Sequence, residues 1–307
     1  MDLDLKDVHV LVTGANGGIG LETTRLFLEH GARVTAQYRT SNTALVQLLV
    51  PPSTGTGNHR FYPSGPRLRM VQADLTNEAQ VQALFSTATA TATPSPPAGV
   101  KWGEVEVAVI NHGVSVSADV PLRDMPLEQW ERTFSNNLTS SFLVAREYMR
   151  RLELGVRGAA GDEDGVGWEF GQRAAIVFVG STAGKYGEAL HADYAASKSA
   201  IMYGLTLSLK NEIVQIAPRA RVNCVAPGWV RTPMAHEALQ NPKTVYRALA
   251  TTPLRKVAEA TDVANQIVFL ASAKVSGHIT GQVLMVEGGM EGRLLNTTAD
   301  IGLSLPM

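Results

Sequence analysis

Tyr194 and Lys198 stand four residues apart at the start of a long stretch of apolar periodicity. On a helix, residues four apart share a face, so a phenol and an ammonium can converge on one site. A phenol ordinarily loses its proton near pH ~10, and a positive charge within about 4–6 Å favours the phenolate. Drawing that value down to about 7–8 corresponds to roughly 3–4 kcal/mol of differential stabilisation. Such a group exchanges a proton with an alcohol or a carbonyl near neutral pH. Chance alone also produces this pair, so it needs partners elsewhere in the chain.

A second constellation lies at the other end. Thr13-Gly14-Ala15-Asn16-Gly17-Gly18-Ile19-Gly20 follows a strand pattern and opens a helical one. That context suits a dinucleotide-binding turn: Gly14 for the tight turn, Gly18 for the approach of a pyrophosphate to the helix N-terminus, and Gly20 for close helix–sheet packing.

These residues must be positioned by regular elements. Val8–Thr13, Arg33–Tyr38, Arg67–Gln72, Glu104–Ile110, Ala174–Val179, Arg221–Ala226 and Gln282–Val286 read as strands. Ile19–His30, Asn77–Thr87, Leu127–Leu152, Asp193–Ile216 and Thr261–Ala273 read as helices. Continuous apolar strands alternating with helices predict an α/β fold, a single doubly wound parallel sheet of about seven strands covered on both faces. The expected organisation is one domain over 1–307. Three stretches rich in Pro, Gly, Ser or Thr, at 51–66, 86–99 and 155–171, read as inserted surface loops. The tail 290–307 has no strong periodicity and reads as a cover for a neighbouring subunit or as disordered.

Bulk properties narrow the function. The 307 residues, 45% apolar, suffice for one sizeable core. A net charge of −1 without a basic stripe gives no electrostatic footprint for nucleic acid. Arg146, Arg150 and Arg151 read as a solvated helix face. The single cysteine, Cys224, has no disulfide partner and reads as a core thiol. No charged-then-apolar leader is present, and no apolar run approaches the roughly 18 residues of a membrane span. The expectation is a soluble cytoplasmic protein with no membrane partner, and no metal site is predicted.

The Thr-Gly-x-x-x-Gly-x-Gly turn, followed later by Tyr-x-x-x-Lys, resembles the short-chain dehydrogenase/reductase family from about Val8 to Gly289. The resemblance implies a Rossmann-type fold and a catalytic set of Asn137, Ser181, Tyr194 and Lys198. In that set Ser181 polarises the substrate carbonyl, Tyr194 exchanges the proton, and Lys198 keeps the phenolate accessible and contacts the nicotinamide ribose. Asn137, preferred over its neighbour Asn136, anchors a relay water. The implied cofactor contacts are Gly14, Asn16, Gly17, Gly18, Ile19 and Gly20 in the turn, with Asp74 and Leu75 at the adenine. Asn111 and Gly113 follow the fourth strand, and Pro227, Gly228, Val230 and Thr232 follow the sixth. For Asp74, a helix N-cap is the simpler alternative. Where NAD-preferring members carry an acidic residue, this chain has Tyr38 followed by Arg39. A carboxylate there repels a 2′-phosphate, whereas a guanidinium pairs with it, so NADP(H) is the expected cofactor and NAD(H) the alternative.

One departure is His112, which replaces the alanine of the family's Asn-Asn-Ala-Gly. It reads either as a contact or proton carrier beside the nicotinamide, or as a locally hydrogen-bonded packing residue. Lys185, Tyr186, His191, Trp229 and Met234 are further candidates for the substrate pocket. Met234–Thr251 resembles a mobile helical lid, with Arg231 and Arg247 placed to meet a carboxylate. The expected activity is reduction of a ketone to a secondary alcohol, or the reverse. The alternatives are imine or enone reduction, NAD-linked sugar or polyol oxidation, or a non-catalytic nucleotide-binding scaffold. The expected partners are a small carbonyl or alcohol substrate and further copies of the chain, in a homodimer or homotetramer packed through the helices at 127–152 and 193–216.

Overall fold

Val10 and Val12 pack to one side of the first strand and Leu11 to the other, and all three are fully buried. That pattern sets the architecture, because a strand buried on both faces needs a helical layer above and below it. The computed structural model describes residues 1–49, 67–90, 102–115, 118–159, 166–292 and 296–302. The first half runs β1 (His9–Val12), α1 (Gly18–Glu29), β2 (Arg33–Tyr38), α2 (Thr43–Val46), β3 (Leu68–Gln72), α3 (Glu78–Thr89) and β4 (Val107–Ile110). Then come α4 (Leu127–Phe134), α5 (Ser140–Ala159), α6 (Val166–Arg173), β5 (Ala175–Val179), α7 (Thr182–Tyr186), α8 (Ala192–Ser199) and α9 (Thr206–Ile216). The chain continues through β6 (Arg221–Pro227), β7 (Val230–Arg231), α10 (Pro242–Ala250), β8 (Ala258–Glu259), α11 (Ala260–Ala271), α12 (Ala273–Ser276) and β9 (Val283–Val286).

Seven strands form one parallel sheet in the order β3-β2-β1-β4-β5-β6-β9, and β7 and β8 make a separate two-stranded ribbon. Phe27 of α1 and Ile267 of α11 pack on the Val10/Val12 face. Phe85 of α3, Tyr148 of α5 and Ile213 of α9 pack on the Leu11 face. Arg221 is only 2% exposed and donates to the carbonyls of Leu270 and Ala271, capping the end of α11 that its strand runs beneath. Cys224, the expected core thiol, is buried in β6.

Several expectations need correction. Both long helices run unbroken, but neither is α-helical throughout: a π-helical turn at Ser135–Thr139 joins α4 to α5, and another at Ala200–Leu205 joins α8 to α9. Residues 155–171 are not simply a loop, since α5 runs to Ala159 and α6 begins at Val166. Gly155 sits inside α5 because a Cβ there would meet the Phe170 ring at 2.8 Å, so this glycine serves packing rather than a turn. Likewise, α3 extends through residues 86–89 of the second expected loop. The whole of 51–66, with 91–99 and 160–165, lies outside the described residues. Within the described part of the tail, Asn296 donates its backbone N–H to Ala250 and its side-chain amide to Leu249 and Thr252, at the end of α10.

Candidate active site and nucleotide cleft

The strand order reverses between β1 and β4, so the chains leaving these strands diverge and open a crevice at their C-terminal ends. A cleft of about 290 Å³ occupies that crevice. Its floor is the glycine turn. Gly14 has φ +59°, and a Cβ on it would lie 2.9 Å from the His112 Cα. A Cβ on Gly20 would come within 2.2 Å of the Gly14 carbonyl, so α1 can close onto the turn only with glycine there. The α1 N-terminus has neither a side-chain cap nor an acidic residue in its first turn, which leaves its amides and dipole for an anion. Asn16, Gly17, Gly18 and Ile19 line the cleft, and Gly18 packs directly beneath the Thr232 methyl.

Two side chains brace the turn. Asn111 donates through Nδ2 to the Thr13 carbonyl at 3.1 Å. Gln37, on β2 and 2% exposed, accepts from the Gly14 N–H at 2.8 Å and donates to the Ala73 carbonyl at 2.7 Å. Sequence reasoning passed over Gln37. An amide in an otherwise apolar buried strand was its one signal, since such a group must find partners.

At the cleft's outer end, Arg39 donates to Asn136 Oδ1 at 2.8 Å. Asp74 accepts from the N–H and hydroxyl of Thr76, and these bonds, with Arg39 nearby, hold its carboxyl below the ordinary range. It is not the N-cap of α3; Asn77 is, accepting from the Gln80 N–H. Leu75 and Asp74 both face the cleft.

The inner end carries the proton-transfer candidates. Ser181 follows β5 and caps α7, its Oγ accepting from the Ala183 N–H at 3.1 Å, and its hydroxyl lies near enough to the Tyr194 phenol to draw that group's pKa down. Tyr194 and Lys198 lie one turn apart on α8, and both line the cleft with Gly113 and Pro227. Gly113 permits close approach, since a Cβ there would stand 3.4 Å from Lys198 Nζ. Asn137 is fully buried behind this group, accepting from the Val114 N–H at 2.7 Å and donating to the Val114 carbonyl and to Ser197.

The electrostatics correct the expectation for the phenol. Burial pushes Tyr194 up to about 12, and burial pushes Lys198 down to about 8. Both charged forms lose water, and the ammonium spends a hydrogen bond on the Val179 carbonyl at 2.9 Å. In the protein by itself, desolvation outweighs the attraction that the four-residue spacing suggested.

His112 bonds Thr13 Oγ1 through Nδ1 and Ser140 Oγ through Nε2, both at 2.8 Å. Burial pushes it down to about 3, which keeps the ring neutral and favours the packing reading. Other pocket candidates lie elsewhere. Trp229 lines a separate cavity of about 210 Å³ beside Leu249 and Glu287. Lys185 stands 4.8 Å over the exposed Tyr186 ring, whose hydroxyl donates to the Met290 carbonyl. His191 Nε2 pairs with Asp119 at 3.2 Å. Met234 does face the cleft, 63% exposed. Gly228 packs against Glu287, and Val230 is buried in β7, paired with Ala258. Arg231 pairs with Glu259 at 3.0 Å. Among the described residues no cluster of His, Cys, Asp or Glu is arranged to hold a metal.

Comparison with known proteins agrees with this geometry. Residues 14–291 match a family profile described as enoyl-(acyl carrier protein) reductase. The chain belongs to the short-chain dehydrogenase/reductase family. It is 32% identical to the uncharacterized oxidoreductase YgfF of Escherichia coli K12, over 91% of this chain and 98% of that protein. It is 31% identical to the 3-oxoacyl-[acyl-carrier-protein] reductase MabA of Mycobacterium tuberculosis H37Rv, over 92% of each. A solved short-chain dehydrogenase/reductase from Brucella melitensis superposes with a TM-score of 0.73 at 25% identity, covering 95% of this chain and all of that one. This short-chain dehydrogenase/reductase is thus an NAD(P)-dependent oxidoreductase enzyme. Its cleft fits such a cofactor: an uncapped helix N-terminus above a glycine floor, and a glycine at 113 where a Cβ would stand 3.3 Å from Asn137 Oδ1.

Proposed function

We propose that the enzyme reduces a ketone to a secondary alcohol with NADP(H), Tyr194 being the proton donor. The observation that carries this reading is the Tyr194–Lys198 pair, with Ser181 beside the phenol, lining a cleft that Arg39 also lines. The bound nicotinamide supplies the hydride. Ser181 and the Tyr194 phenol together bind the carbonyl oxygen, and the phenol, kept protonated by its burial, hands over its proton as negative charge builds there. Lys198, fixed by the Val179 carbonyl, places a cation beside the phenolate left behind. Asn137 fixes the 113–114 backbone against Ser197, and so the wall on which this group rests.

The 3-oxoacyl carrier-protein reductases among the relatives make a 3-oxoacyl thioester the first substrate to try. Cofactor cleft and proton-transfer group are carried by one domain, and Phe142, Tyr203 and Leu207, between 37% and 44% exposed on α5, the second π-turn and α9, supply an apolar face for self-association. Among the described residues no helix is long and apolar enough to cross a membrane, and the lone buried thiol suits a reducing cytoplasm. The test is turnover of 3-oxoacyl thioesters and simple ketones with NADPH against NADH. Turnover with NADPH that Tyr194→Phe abolishes supports the reading. Equal rates with NADH, or a fully active Tyr194→Phe variant, overturn it.

A further inference from the structure

We infer that Asn136 is a specificity-determining residue for the cofactor, braced by His112 through Ser140, and that it holds Arg39 in position for a 2′-phosphate. The inference rests on the NADP(H) reading above.

Arg39 leaves the end of β2 and reaches across the cleft to the π-turn that precedes α5, where Nη1 meets Asn136 Oδ1 at 2.8 Å. The orientation of that amide is fixed, because Nδ2 donates to the Arg132 carbonyl at 2.8 Å. The oxygen therefore faces the guanidinium, and no flip of the amide keeps both bonds. Arginine presents five N–H donors, so one spent on Asn136 leaves the rest of the fork for an anion. Fixing the fork beforehand lowers the ordering cost that a long exposed side chain would otherwise incur on binding. Asp74 is the carboxylate close enough to feel Arg39, and its oxygen is already occupied by Thr76.

The brace continues inward. The Asn136 carbonyl accepts from Ser140 Oγ at 2.7 Å, Ser140 Oγ also meets His112 Nε2, and His112 Nδ1 meets Thr13 at the end of β1. Arg39, Asn136, Ser140 and His112 all line the same cleft. The histidine that stands in place of alanine thus ties the π-turn to the glycine floor, and a methyl group could make neither bond.

The experiment is fluorescence titration of the full-length enzyme with NADPH and NADH, with adenosine 2′,5′-bisphosphate and adenosine 5′-phosphate as competitors. In Asn136→Ala the preference for the 2′-phosphate should narrow by roughly three- to tenfold, the share of one hydrogen bond. In the isosteric Asn136→Asp a carboxylate beside Arg39 should narrow it by more than about tenfold. His112→Ala should narrow it less than Asn136→Ala does, with the thermal melt recorded alongside. If Arg39→Ala removes the preference while Asn136→Ala and Asn136→Asp both keep it, this inference fails and the NADP(H) reading stands. If the wild-type enzyme shows no preference, both fail.

Discussion

Lys198 Nζ lies 5.8 Å from the centroid of the Tyr194 ring and gives its hydrogen bond to the Val179 carbonyl instead. The two groups share one face of α8, yet each is shifted toward its neutral form by burial. Because Lys198 is drawn down to about 8, it is an ammonium below that pH and an amine above it. Reductive turnover should therefore fall as pH rises through about 8. Lys198→Arg, whose guanidinium stays charged, should move that limb upward. A pH–rate profile that is flat from 7 to 10 would contradict the assignment.

Tyr194→Phe deletes the proton but keeps the ring. The expected loss in turnover is roughly 10²–10⁴-fold, the usual weight of one positioned acid. Cofactor affinity, measured by fluorescence, should change little. Retained turnover would sink the role given to the phenol.

Acid should weaken the fold through two histidines. His9 is fully buried, bonded to Gly103 and Thr35, and lies edge-on to Trp102 at 5.2 Å. Burial pushes His9 and His112 down to about 3 from an ordinary 6.5. Between those values the unfolded chain binds more protons than the folded one. The stability is therefore complete above pH 6.5 and is lost as pH falls toward 3. For His9 the upper bound is on the order of 5 kcal/mol. Denaturant unfolding at pH 7.5 and 4.5 should show a smaller difference in His9→Gln than in the wild type, and an unchanged difference would refute the argument.

Gly20→Ala should damage the cleft selectively. The added methyl would stand 2.2 Å from the Gly14 carbonyl and 2.7 Å from Asn111 Nδ2, so the turn must shift. Overpacking of this kind costs about 1–3 kcal/mol, and the shift should appear as a loss of cofactor binding out of proportion to the drop in Tm. Normal affinity in a folded variant would show that the close approach is unimportant.

Asn296→Ala removes two side-chain bonds to the end of α10 and leaves the Leu249 and Thr252 carbonyls without that partner. The expected cost is about 1–3 kcal/mol. Because α10 follows Met234 at the cleft mouth, KM for the carbonyl substrate should rise more than the Kd of the cofactor. Equal changes in both would mean that the tail merely supports the fold.

The sheet was legible because its strands carry their periodicity openly: Val10, Leu11 and Val12 are apolar on both faces and admit only a parallel, covered sheet. The glycine turn was legible because Gly14 and Gly20 answer to local sterics. The two π-turns were hidden, since one widened turn barely alters an apolar pattern read over some twenty residues. Gly155 misled because its partner, Phe170, is distant in sequence and a packing glycine looks like a loop glycine. The same limit applied to Trp229 and Tyr186, whose surroundings depend on where α10, α11 and the tail return. For Tyr194 and Lys198 the spacing showed that they meet, but the balance of charge depended on burial, which spacing does not encode.

The π-turn at Ser135–Thr139 sends two neighbouring asparagines in different directions, Asn136 out to Arg39 and Asn137 in to Val114. In the proposed reading, the choice of nucleotide and the support of the proton donor fall at adjacent positions with different partners. On that reading, point substitution at 136 should retune the first without disturbing the second. A single inserted or deleted residue before 136 would misplace both together, so this short stretch tolerates changes of letter but not of length.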